Sequence, residues 1–349
     1  MPSSTAVKRP DDDLSAGARR RNWIAVPACV ALLVVAVVLS LAVGARFTPI
    51  GDVIQALLGT GDQNVVNIVG TLRVNRTVNA LICGVALGLA GVLMQAVTRN
   101  PLADPGVLGV NAGASFGVVV GLTVFGSLGA VGSVWLALAG AAAASIVILA
   151  FSSSRVVAGS PVRLTLAGVA FAAVLSGVTQ TLVLTDESVL DVYRFWRVGS
   201  LTARPVEEAL PLLGFVVAGA VLALASASSL NALALGDDTA RSLGARPARV
   251  RVLALVAVTL LAGTATALAG PIAFVGLVVP HLLRPVIGPD HRLLLPLSML
   301  AAPTLLLVAD VVGRVIGRGG EVQVGVVMAL IGGPMLIFFV NGRRKAGLS

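Results

Sequence analysis

Few side chains in this chain could do chemistry, and their positions carry the argument. Arg73 and Arg76 stand three residues apart where a long apolar run begins. A guanidinium placed there can reach lipid headgroups along its alkyl stem, or can hold a carboxylate of an acidic partner. Further on, Asn100-Pro101-Leu102 and Asp104-Pro105-Gly106 interrupt an apolar stretch that starts at Gly84. Irregular backbone at membrane depth survives only when buried in protein or lining a wet cavity, although a plain loop at the surface would read the same way. Gly236-Asp237-Asp238 precedes Arg241, Leu243 and Gly244, with the two carboxylates where a helix N-terminus favours anions. Asp310 and Arg314 are spaced to meet on one helix face.

The chemistry that is missing narrows the function further. No G-x-x-x-x-G-K-[ST] occurs, and neither Lys8 nor Lys345 has the flanking residues it requires. No span centre carries the Asp, Glu or His of a proton relay, since His281 and Asp310 fall near span ends. His281, His291, Cys29 and Cys83 show no metal-ligand spacing. No nucleophile, base and acid share a recognisable arrangement, so an enzyme is not expected, and no cofactor is expected on the chain itself. A many-span protein without an energy source is either passive or borrows a motor.

The elements that must position these residues are membrane helices. Of 349 residues, 57% are hydrophobic and 12% charged, against about 25% charged in soluble domains. Apolar runs long enough to cross about 30 Å of hydrocarbon recur along the chain. The net charge of +9 lies in short clusters between these runs, which marks topology and not nucleic-acid binding. We expect an all-α polytopic membrane protein of about ten transmembrane helices, in the plasma membrane, with both termini cytoplasmic. Residues 1–22 read as a polar cytoplasmic tail, 23–342 as the transmembrane domain, and 343–349 as the cytoplasmic C-terminus. Spans are expected near 24–43, 77–96, 107–125, 132–151, 164–184, 209–227, 252–270, 272–283, 293–312 and 322–341. The second and seventh each lead into a proline-broken stretch, which suggests an inverted repeat. Ser176, Thr179 and Gln180 in the fifth span suit either close helix packing or a wet pathway. The segment 228–251, divided by Gly244 and Pro247, reads as a structured cytoplasmic contact surface where a motor could attach.

Several blocks together resemble a known family. They are Leu72-Arg73-Val74-Asn75-Arg76-Thr77, Asn100 through Gly106, Leu166-Ala167-Gly168-Val169-Ala170, Leu235-Gly236 through Leu243-Gly244, Ala269 through His281, and Gly288-Pro289-Asp290-His291-Arg292. The chain beyond residue 22 is similar to FecCD-type permeases of ABC importers for iron-siderophore complexes and cobalamin. The resemblance implies ten helices per subunit, a second permease copy or paralogue, an ATPase dimer below and an extracytoplasmic binding protein above. It implies that Arg73, Arg76 and Arg314 meet the binding protein. It implies that Asn100, Pro101 and Leu102 form a cytoplasmic gate, and that Gly236, Asp237, Asp238, Arg241, Leu243 and Gly244 couple to the ATPase. A second gate strip would lie near Ser160 to Val162, where Pro161 and Val162 replace the expected hydroxyls. Asn75 stands where proline is usual. A ferric siderophore is the expected cargo, moving as a metal chelate, with ATP used only by the partner subunit. Cobalamin or haem import, and an ion-coupled secondary carrier, are the alternatives.

Overall fold

The computed structural model describes residues 10–44, 47–126, 129–153, 161–202, 204–317 and 320–346. Among them the chain is helical and contains no strand. The first helix, α1, covers Pro10–Ala42. Residues 10–22 are therefore helical, where the sequence reads as a tail. Proline at the first position and Asp11-Asp12-Asp13 in the first turn both favour a helix start there. Two short helices follow, α2 (Ile50–Leu57) and α3 (Gln63–Asn67), and a π-helical turn over Ile68–Arg73 leads into α4 (Val74–Thr98). A single 3-10 turn over Pro105–Leu108 precedes α5 (Val110–Phe125). Next come α6 (Ala130–Ser153), α7 (Pro161–Thr185), α8 (Glu187–Arg197), α9 (Val206–Ala209) and α10 (Leu213–Ala225). The remaining helices are α11 (Ala227–Ala234), α12 (Asp237–Ser242), α13 (Pro247–Ala269), α14 (Val275–Ile287), α15 (His291–Ile316) and α16 (Val324–Ala346).

Among the described residues, seven helical stretches are long and apolar enough to span a membrane, and three shorter apolar helices accompany them. The shorter ones are α5, α14 and the 324–338 part of α16. Each follows a break or a tight turn. The breaks have visible causes. Gly270 and Gly288 sit at φ +75 and +84 and stop α13 and α14. Asp290 accepts the backbone N–H of Arg292 at 2.9 Å and starts α15.

Helices α4 and α13 form the centre. The α4 span is 83% buried and the α13 span 72%, against 17% for α1 and α7. Small residues make that centre possible. A Cβ on Gly84 would overlap the backbone of Pro303, and one on Gly88 would press on Ala302 and Ser298, so α4 and α15 cross at backbone distance. Gly113 and Gly117 of α5 meet Gly140 and Leu136 of α6 in the same way.

The two proline-broken stretches lie against each other. Gly91 of α4 abuts Gly276 of α14, and Pro105 reaches Gly276 as well. Gln95 donates to the Gly276 carbonyl at 3.1 Å, and Arg284 donates to Gln95 Oε1 at 2.6 Å. Among the described residues, the two non-glycine positions with positive φ are Arg99 at 50 and Phe274 at 70, one at each break. That pairing is what an internal repeat would produce, and such conformations persist only where their surroundings enforce them.

Candidate functional site: a charged cleft and a gate at opposite ends of one helix

One end of the bundle gathers the arginines singled out in the sequence. Arg73 and Arg76 stand at the head of α4, and Arg314 stands near the end of α15. All three are buried, at 6%, 6% and 3% exposure. The reason is a shared network. Arg76 donates to Asp310 at 3.1 Å and to Glu321 at 2.6 Å. Arg314 pairs with the same Asp310 at 3.1 Å and donates to the Ser40 carbonyl at 2.9 Å. The Ser40 hydroxyl bonds Thr77 at 2.8 Å, and Arg73 donates to the Leu41 carbonyl at 2.6 Å. The end of α1, which cannot satisfy its own last carbonyls, is thus closed by guanidinium groups from α4 and α15. Glu321 is half-exposed, so the network opens to solvent there. Arg73, Arg76, Arg314 and Glu321 line a cleft of about 340 Å³ together with Gly44, Ile68, Leu72 and Thr202. Asn75 has a definite task here: its Oδ1 accepts the N–H of Val206 at 3.3 Å, which proline could not do.

The other end carries the broken turn. Helix α4 finishes at Arg99, in left-handed conformation. Asn100 then folds back, its Oδ1 accepting the N–H of Leu102 at 3.0 Å, while Pro101 and Leu102 are half-buried. Asp104 accepts the N–H of Gly106 at 2.9 Å. Loss of hydration raises its carboxyl above the usual carboxylate range, against the backbone hydrogen bonds of Gly106 and Phe274. Of the second gate strip, Ser160 lies outside the described residues, as does Arg155 of the same loop, and Pro161 and Val162 open α7.

Beside this turn lies α12. The break falls at Gly236, φ +110, with a second stop at Gly244, φ +82. The 228–251 segment therefore holds all of α11 but Ala227, the whole of α12 and the start of α13, with a break at Gly236 besides the division at Gly244 and Pro247. Ala240 anchors α12 at 0% exposure, whereas Asp238, Arg241, Leu243 and Gly244 face out. Arg241 pairs with Asp238 at 2.6 Å. Asp237 faces inward, taking Arg251 at 2.7 and 2.9 Å and Arg99 at 2.5 Å. Burial acts to raise the Asp237 carboxyl, but the hydrogen bonds and charges of Arg251 and Arg99 outweigh it, and the net shift is downward. Helix α11 is tied to the next turn: Asn231 donates to Asp290 at 2.6 Å and accepts the His291 N–H at 3.0 Å.

Of the pathway candidates, Ser176 and Gln180 lie on the exposed side of α7, four residues apart. Thr179 is turned inward at 1% exposure and donates to the Leu175 carbonyl at 2.7 Å.

The structure also adds residues that the sequence alone did not single out for the site. Arg99 and Arg251 share Asp237, Gln95 joins the Gly276 carbonyl to Arg284, Glu321 completes the cleft, and Ser40 holds Arg314. Arg99 carried one signal, a cation placed directly before Asn-Pro where an apolar helix must end.

A polytopic helical bundle with a charged cleft at one end and a broken turn beside an exposed charged helix at the other defines the chain as a membrane transport permease. The FecCD transport family description matches residues 32–341, and the chain belongs to that family. It is 49% identical over 325 residues to the ferric enterobactin transport system permease protein FepD of Escherichia coli (strain K12), covering 93% of this chain and 97% of that one. It is 36% identical to the probable siderophore transport system permease protein YfiZ of Bacillus subtilis (strain 168), again over 93% and 97%. A solved structure of a metal-chelate type ABC transporter in an inward-facing conformation superposes with a TM-score of 0.79 at 28% identity, covering 90% of this chain and 98% of that chain.

Proposed function

We propose that this chain is the permease subunit of an ABC importer that moves a ferric siderophore across the plasma membrane. The observation that carries this reading is near full-length identity of 49% to a ferric enterobactin permease. In this reading the arginine cleft faces outward, toward an extracytoplasmic binding protein, and α12 faces the cytoplasm, where an ATPase dimer grips it. Both chain termini are cytoplasmic. A second permease copy or paralogue completes the pathway, lipid surrounds the remaining faces, and ATP is consumed by the partner subunit alone.

The geometry suits those roles. Arg73, Arg76 and Arg314 are arranged round one cleft, and Glu321 occupies Arg76 at its solvent-facing side. An acidic group of a docking protein would exchange with Glu321 there, so docking and the state of the cleft are linked. At the other end, Asp238, Arg241, Leu243 and Gly244 present mixed polar and apolar contact area. The turn at Asn100, Pro101 and Leu102 lies at the end of the central helix, about 35 Å from the cleft at about 1.5 Å of rise per residue.

The test is uptake by cells with and without this gene. Radiolabelled ferric enterobactin, ferric citrate, haem and cobalamin are offered in turn. Uptake of a ferric siderophore that needs the gene is expected. Uptake of only cobalamin or haem would move the cargo to the other branch of the family, and uptake driven by a proton gradient without an ATPase would end the importer reading.

A further inference from the structure

Beyond the residues already placed in the gate and the coupling helix, one contact joins the two. Arg99 ends α4 and immediately precedes Asn100-Pro101-Leu102. Its guanidinium donates to the Leu233 carbonyl at 2.7 Å and to Asp237 Oδ1 at 2.5 Å. Leu233 belongs to the last turn of α11 and Asp237 to the first turn of α12. Asp237 is meanwhile held by both oxygens to Arg251 of α13. A single carboxylate thus ties the exposed helix α12 to the two most buried helices of the bundle, α4 and α13. Arg99 holds its place at a cost, since φ 50 is a conformation that a long side chain rarely adopts. Glycine would take that turn with less strain. The strained residue is also the one whose side chain spans the joint.

We propose that Arg99, through Asp237, is the positioning residue that transmits displacement of α12 to the Asn100-Pro101-Leu102 turn. The proposal rests on the reading of α12 as the ATPase contact and adds to it the route from that contact to the gate. When α12 shifts, Asp237 draws the Arg99 guanidinium with it. Arg99 is contiguous with the turn, so the turn moves while α4 stays fixed by its close packing on α15 and α14. Charge-assisted hydrogen bonds of this kind are short and directional, which suits them to transmit position.

The side chain can be removed cleanly. Without Arg99, Asp237 keeps both bonds to Arg251, so no buried carboxylate is orphaned. Arg99→Gly also relaxes the backbone, and Arg99→Asn tolerates the same left-handed conformation. A residue needed only for the turn would make Arg99→Gly equal to or better than wild type. A residue needed for transmission makes it worse and lets Arg99→Lys, which keeps the charge, recover much of the loss.

The experiment uses the whole importer, permease with its ATPase and binding protein, in proteoliposomes, with radiolabelled ferric enterobactin as probe. Chelate transported per ATP hydrolysed is measured for wild type, Arg99→Gly, Arg99→Asn and Arg99→Lys, and retention of the ATPase is read by co-purification. We expect the ATPase to stay bound and ATP hydrolysis to continue in all four. The ratio should fall about tenfold in Arg99→Gly and Arg99→Asn, the scale of one lost charged hydrogen-bond pair, and return most of the way in Arg99→Lys. An unchanged ratio in Arg99→Gly, or Arg99→Lys as poor as Arg99→Gly, would overturn the proposal. Failure of the parent reading looks different: wild type itself would then hold no ATPase and show no ATP-driven uptake.

Discussion

Arg76 shows how burial changes what a charged residue can be asked to do. Sequence position alone makes it an outward-facing arginine, free to meet an acidic partner. The structure places it at 6% exposure with Asp310 on one side and Glu321 on the other. Asp310 is itself 2% exposed and shared with Arg314. Replacing Arg76 with Glu would set a carboxylate against that buried acid and leave Arg314 as its only partner. Removing one member of a buried pair costs about 3–5 kcal/mol, far more than a surface ion pair is worth. Arg76→Glu is therefore expected to lower the yield and melting temperature of the detergent-solubilised permease. Glu321→Gln, at the half-exposed edge, should leave both near wild type. Fluorescence-detected size exclusion after a heating series measures the difference. Equal melting of Arg76→Glu and wild type would show that the network contributes nothing to assembly.

At the scale of elements, the close approach of α4 and α14 at Gly91 and Gly276 holds the two broken stretches together. A Cβ on Gly91 would collide with the Gly276 backbone, whereas one on Gly214 of α10 would meet nothing within 4 Å. Gly91→Ala should cost about 1–3 kcal/mol, the usual range for overpacking, and should disturb the turn after α4. Gly214→Ala should be neutral in the same melting assay, and equal behaviour of the two would refute the crossing. This level of the fold was largely legible beforehand. Apolar runs locate the spans because hydrocarbon thickness sets their length, and Gly84, Gly88, Gly113 and Gly117 mark contact faces by spacing alone. Gly270-Pro271 announces the α13 break. The start of α1 at Pro10 was not legible, because a charged segment beside a span reads equally as tail or helix. Nor was the cleft or the Arg99–Asp237 joint. Their partners lie 234 and 138 residues apart, and periodicity reports only what one helix does with its own neighbours.

For the whole molecule, the unburied faces say where other surfaces must lie. Helices α1 and α7 are equally bare, at 17% buried each. Their exposed residues differ in kind. Those of α1 include Ile24, Val26, Val30, Leu32, Val34 and Val35, which suit hydrocarbon. Those of α7 include Ser176, Gly177, Gln180 and Thr181 beside Leu166 and Val174. An amide left in hydrocarbon costs several kcal/mol, on the order of 4–8 against an alkane, so Gln180 needs a partner or water. The α7 face is thus the one suited to a second permease and a shared pathway, and the α1 face the one suited to lipid. In a background with Cys29→Ser and Cys83→Ala, Gln180→Cys should react with a membrane-impermeant maleimide or form an oxidant-induced cross-link between two permease copies. Val34→Cys should do neither. Labelling of Val34→Cys with Gln180→Cys inert would reverse the assignment of the two faces and place the pathway beside α1 instead.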